Sequence, residues 1–164
     1  PSKAIDRSIM FYKAQGYSDA WIEKRLKGQL HRFQLTDVWK SGGINEPVEY
    51  GVLTNEIYKA WSGMKASQYK EYKGIRKESL RDNMSDLEIL LTDIGETATR
   101  ELAKTYNPQG LIQNKEIAKR GGQIAKNTRD NLEKELGKSI ITKENNINSR
   151  YVQINKNTNQ IESK

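Results

Sequence analysis

The sequence has no cysteine, a single histidine, His31, and only three prolines in 164 residues. Without cysteine there is no disulfide and no thiolate metal site, and a reducing compartment is compatible with the chain. One histidine cannot supply the three or four nitrogen or sulfur donors of a zinc centre. Long apolar runs are missing as well. None approaches the roughly 20 residues of a membrane-spanning helix, and no secretory signal pattern opens the chain. No membrane partner is expected, and the cytoplasm is the expected location. Neither a GxxxxGKS/T phosphate loop nor a GxSxG nucleophile elbow occurs. His31 lies between Leu30 and Arg32 on an amphipathic segment, with no orienting partner nearby in sequence. Carboxylate pairs such as Asp82 with Asp86, Asp93 with Glu96 and Asp130 with Glu133 are of a kind that most charged helices carry. The expectation is a chain that is not an enzyme, with no metal and no cofactor.

Charge is plentiful. Charged residues make up 30% of the chain against 35% hydrophobic, and the formal net charge is +7. Such a balance favours a polyanion or an acidic protein as partner and says nothing of fold. The length suits one domain, large enough to bury about 70% of its unfolded surface. The first residue is Pro1 rather than Met, so an excerpt of a longer protein is expected.

Helical spacing runs through most of the chain. Ala4, Ile5, Ile9 and Tyr12 mark one face, with Gly16 as a terminal cap. Ser18 caps a second segment in which Trp21, Ile22, Leu26, Leu30, Phe33, Leu35, Val38 and Trp39 recur, as one helix or as two joined near Gly28 or Thr36. Residues 44–50, with Pro47, read as a loop. Leu53, Ile57, Ala60 and Trp61 mark a third helix, and residues 67–73 a short one. Ser85 and Glu88 form a capping box that opens a helix through Leu87, Leu91, Ile94 and Leu102, ending before Asn107-Pro108. From Gly110 a further helix carries Ile117, Ile124 and Leu132 to Gly137. Gly121-Gly122 lies inside it and is expected to mark close packing of a continuous helix. Ile140 and Ile141 either form a short strand or dock on the core. The sum is an all-α bundle of five to seven helices, with the Ser85 to Tyr106 helix at its centre. Residues 1–145 form the domain. Residues 146–164 form an irregular Asn-rich tail, mobile or paired with a partner, in which Tyr151, Val152 and Ile154 stand out.

Cations cluster from Trp61 to Met84, where six (Lys65, Lys70, Lys73, Arg76, Lys77 and Arg81) face three acids. Tyr69 and Tyr72 sit between them. Lys and Arg neutralise phosphates, and aromatic rings offer unpaired bases a stacking surface. Lys24, Arg25, Lys27 and Arg32 form a second cluster; Lys115, Lys119, Arg120, Lys126 and Arg129 form a third. Trp21, Trp39 and Trp61 share the apolar phase of their helices and are expected to pack in the core.

Four stretches, LTDVWKSGGI, YGVLTNEIYKAWSGM, YKEYKGIRKESLRDNMSDLEILLTDIGETATRELAK and IAKRGGQIAKNTRDNLEKELGKSIITKEN, resemble the C-terminal region of the DNA-damage-inducible protein D family. These are bacterial and prophage proteins with an N-terminal BRO-type domain, often described as phage antirepressors. The likeness runs from about residue 1 to residue 145. The BRO-type domain, to which the family's DNA binding is attributed, is not among these residues, and the Asn-rich tail has no counterpart. The resemblance implies a helical accessory domain in an SOS-type DNA-damage or prophage response, and it supplies no catalytic residues.

The functional expectation is a DNA-binding basic face made of Lys70, Lys73, Arg76, Lys77, Arg81, Lys119 and Arg120 on phosphates, with Tyr69 and Tyr72 stacking on bases. The alternative is a protein-interaction or homo-oligomerisation module that meets a repressor or a recombinase filament.

Overall fold

A computed structural model describes residues 2–147. Six α-helices and one 3-10 turn follow in order: α1 Ser2–Ala14, α2 Asp19–Ser41, α3 Pro47–Ser62, α4 Ala66–Tyr72, the turn Arg81–Asn83, α5 Asp86–Tyr106 and α6 Gly110–Leu136. No strand occurs among the described residues. The chain is all-α.

Local chemistry sets the helix starts. The Ser18 hydroxyl accepts from the Trp21 N–H at 3.2 Å, and α2 then runs unbroken past Gly28 and Thr36. At α5 the Glu88 N–H donates to Ser85 Oγ at 3.2 Å while the Ser85 N–H donates to Glu88 Oε1 at 3.1 Å. Each side chain satisfies a donor that the first turn leaves open. The loop reading of residues 44–50 is corrected at Pro47, which opens α3. Proline suits that position, because its missing N–H falls where no intrahelical acceptor exists. Glu49 also reaches back, accepting from the Glu46 N–H at 3.2 Å.

The core joins Leu35 and Trp39 of α2, Leu53, Ile57 and Trp61 of α3, Tyr69 of α4, Leu91 of α5, and Ala118 and Ala125 of α6. Trp39 and Trp61 are fully buried, whereas Trp21 is half-buried and stacks on Tyr17 at 3.7 Å. Helix α6 packs chiefly against α5 and α3. Gly121-Gly122 makes that approach possible without breaking the helix. A Cβ on Gly121 would sit 2.7 Å from the Thr99 backbone N, and one on Gly122 would sit 2.8 Å from the Ile57 carbonyl oxygen. Helix propensity loses about 1 kcal/mol per glycine, and the close contact of three helices offsets it.

After Gly137, itself at φ +68°, the chain turns back over the bundle. Ile140 and Ile141 dock in the core. Asn145 Nδ2 donates to the Lys73 carbonyl at 2.8 Å, and the Asn146 N–H donates to Asn83 Oδ1 at 3.0 Å. Asn146 is thereby tied to the domain. Residues 148–164, with Tyr151, Val152 and Ile154, lie outside the described residues.

Candidate nucleic-acid interface

An open groove of about 550 Å³ lies where α1, α2, α3, α4 and the Arg81–Asn83 turn meet. One face of α2 supplies Arg25, Gln29, Arg32, Phe33 and Thr36. That spacing keeps returning to the same side of a helix. Lys70 of α4 and Arg81 complete the cationic lining. On its far side Lys70 also borders a second depression, shared with Glu71 and Arg76. Arg25, Arg32, Arg81, Lys70 and Arg76 thus follow one another across two adjoining hollows, and exposed Lys77 follows Arg76 in the chain.

The groove arginines are held from behind. Arg81 pairs with Glu96 and, at 3.5 Å, with Asp93, while Arg25 pairs with Asp82. Arg32 lies 3.5 Å from Glu96 and donates to Thr54 Oγ1 at 3.3 Å. None of these carboxylates lines the groove. Burial lifts the Glu96 carboxyl above its usual value, against the pull of Arg81 and Arg32. Asp93 is raised for the same reason, against the pull of Arg81, His31 and Arg25. Burial opposes the charge on Arg81, but Glu96, Tyr58 and Asp93 outweigh it and keep the guanidinium charged. Lys70, Arg76 and Lys77 make no ion pair among the described residues, so their charge remains available.

Three of the nine residues expected to contact nucleic acid are corrected, because they lie inside the fold. Lys73 has a fully buried side chain, and its ammonium spends all three donors on Glu88 Oε1 at 2.8 Å, the Thr142 carbonyl at 2.9 Å and the Glu144 carbonyl at 2.7 Å. Tyr69 is buried and donates its hydroxyl to Glu88 Oε2. Burial, with help from that carboxylate, pushes its pKa well up. Arg81 shows only 11% of its side chain, spent on Glu96 and Asp93. Charge buried against charge ties helices together here, where the sequence had suggested phosphate contact.

The remaining six do not share one surface. Lys70, Arg76 and Lys77 belong to the groove side. Tyr72 is 40% exposed, but its ring carries the Lys143 ammonium at 5.6 Å. Lys119 and Arg120 are exposed at the other end of the bundle, with Arg120 over the Tyr106 ring at 4.9 Å. Tyr106 closes α5, and Glu88, which Tyr69 and Lys73 touch, opens it. At 1.5 Å per residue the two ends lie about 27 Å apart. Much of the rest of both outlying clusters is paired. Lys24 meets Asp86 at 3.1 Å, Lys126 meets Asp130 at 2.6 Å, Lys115 approaches Glu56 at 3.9 Å and Arg129 meets Glu133 at 3.2 Å.

These pairings also occupy the acids of the carboxylate pairs, and no metal-holding group of three or more His, Asp or Glu forms among the described residues. His31 Nδ1 lies 3.2 Å from Thr97 Oγ1 and bridges α2 to α5. Arg25, Arg32 and Phe33 are the groove residues that the expected face left out. Their signal was present in the sequence: positions 25, 29, 32, 33 and 36 place two arginines, a glutamine, a ring and a hydroxyl on one side of a helix. Comparison with models of protein families, with curated proteins and with solved structures gives no match.

Proposed function

We propose that the chain is a non-enzymatic domain that binds nucleic acid through the α2–α4 groove and its margin, with Arg32, Lys70, Arg76 and Lys77 on the phosphates. The observation that carries this reading is the set of cations lining two hollows that share Lys70, where the carboxylates paired with the arginines of the first hollow lie outside its lining and Glu71 is the one acid in the lining of the second. A phosphate backbone is a row of anions, and a row of cations with access to solvent is its complement. The resemblance to the DNA-damage-inducible protein D family supports DNA as the polymer and a damage or prophage response as the setting.

Titration of labelled DNA at several salt concentrations tests it. Four phosphate contacts give a log–log salt slope of about −3. Absence of binding at about 50 mM salt ends the proposal for this chain.

Met10 and Phe11 of α1 favour a second reading, self-association, because they are 71% and 60% exposed. Large side chains left in water are a common mark of a covered surface. Light scattering decides: a monomer mass at all concentrations removes it.

A further inference from the structure

We propose that the α2–α4 groove receives one unpaired nucleotide, its phosphate on Lys70 and Arg32 and its base against Phe33, so that single strands and open ends are preferred to intact duplex. This deepens the nucleic-acid reading and rests on it. The groove volume of about 550 Å³ falls within the range of sites that enclose a small ligand, roughly 300 to 1,000 Å³. A surface that only follows phosphates needs no apolar lining, yet this one has Phe33, Ile5 and Leu80 among its cations. Phe33 is 55% exposed, with ring surface open to a partner.

Base–aromatic stacking tolerates any base, because every base has a π-face, and a base inside a duplex has both faces covered by its neighbours. The polar equipment suits a nucleotide as well. Arg32 and Lys70 supply charge to the lining, and Ser8 and Thr36 add hydroxyls, which donate to the Ala4 and Phe33 carbonyls and leave their oxygens to accept. Thr54 Oγ1, which accepts from Arg32 and donates to the Tyr50 carbonyl at 2.8 Å, fixes the direction of the guanidinium. The ring is set on the same helix face as Arg32, so base and phosphate sites are joined by a rigid element.

The test compares a short oligothymidylate with a duplex of equal length by fluorescence anisotropy, for the wild type and Phe33→Ala. The wild type is expected to bind the single strand about tenfold or more tightly than the duplex. Loss of one stacked base, worth about 1–3 kcal/mol, should weaken the single-strand complex of Phe33→Ala about 5- to 150-fold and leave duplex binding unchanged. Phe33→Tyr, which keeps the ring, should behave as wild type. Equal affinity for both polymers, with no effect of Phe33→Ala, overturns the nucleotide site and leaves the phosphate-binding reading standing. Failure of both polymers to bind overturns both. An unchanged melting curve for Phe33→Ala certifies the fold, as its exposure leads one to expect.

Discussion

Replacing Lys73 by Met removes one ammonium from the interior and keeps most of the stem's volume. Glu88 Oε1 then loses its only cationic partner among the described residues, although the Ser85 N–H still reaches it and Tyr69 still holds Oε2. The carbonyls of Thr142 and Glu144 lose their donor as well. Removing one partner of a buried ion pair costs about 3–5 kcal/mol, mostly through the charge left behind. We assign nothing further to the carbonyls, since the segment after Gly137 lifts away and hydrates them. Against a total stability of about 5–15 kcal/mol the variant folds, marginally. With a urea dependence of about 2 kcal/mol per M, the midpoint falls by about 2 M. Tryptophan fluorescence follows the transition, because Trp39 and Trp61 are fully buried. Amide exchange at Ile140 and Ile141 reports separately on the returning segment, and protection there should be lost first. Adding Glu88→Gln removes the stranded charge and keeps the cap, so the double variant recovers at least half of the loss. A single-variant loss below about 1 kcal/mol, or no recovery in the double variant, refutes the assignment of Lys73 to the interior.

Further outcomes follow from the same geometry. Gly122→Ala should destabilise by about 1–3 kcal/mol or more, because its methyl meets the Ile57 carbonyl 2.8 Å away and backbone yields poorly. Wild-type stability in a denaturant titration of that variant contradicts the close approach of α3 and α6. Partial burial pushes the Glu133 carboxyl up, but the Ile140 N–H and the Arg129 guanidinium outweigh it and hold the group below its usual 4.5. Its stabilising contribution is therefore complete above the unfolded value and lost as pH falls through the native one. Glu133→Gln should flatten that acid limb of the stability–pH curve, and an unaltered limb would speak against the tie between α6 and residue 140.

Helix number, most termini and the glycine contact could be read from the sequence because their causes are local. Ser18, the Ser85–Glu88 box and Gly137 act within a turn or two of their own positions. Pro47 misled because the same residue opens a helix or fills a loop, and Glu49, two residues on, decided which. The fate of the cations was not legible in the same way. Lys73, Arg81 and Tyr69 look like solvent-facing residues in a charged stretch until Glu88 and Glu96 arrive from α5 to meet them. Such pairings depend on how helices cross, and spacing along one helix does not contain that information. The α2 face was legible but blurred, since Arg25 and Arg32 counted as part of a charge run while their phase with Gln29, Phe33 and Thr36 marked a groove wall.

The most direct measurement compares the two ends of the bundle in salt-dependent DNA titrations of the wild type, Lys70→Ala/Arg76→Ala and Lys119→Ala/Arg120→Ala. Two lost phosphate contacts flatten the log–log slope by about 1.4 to 1.8. The groove-side double variant is predicted to show that change, and the variant at the Tyr106 end is predicted to keep the wild-type slope. Equal flattening in both, or none in the first, contradicts a binding face centred on the α2–α4 groove.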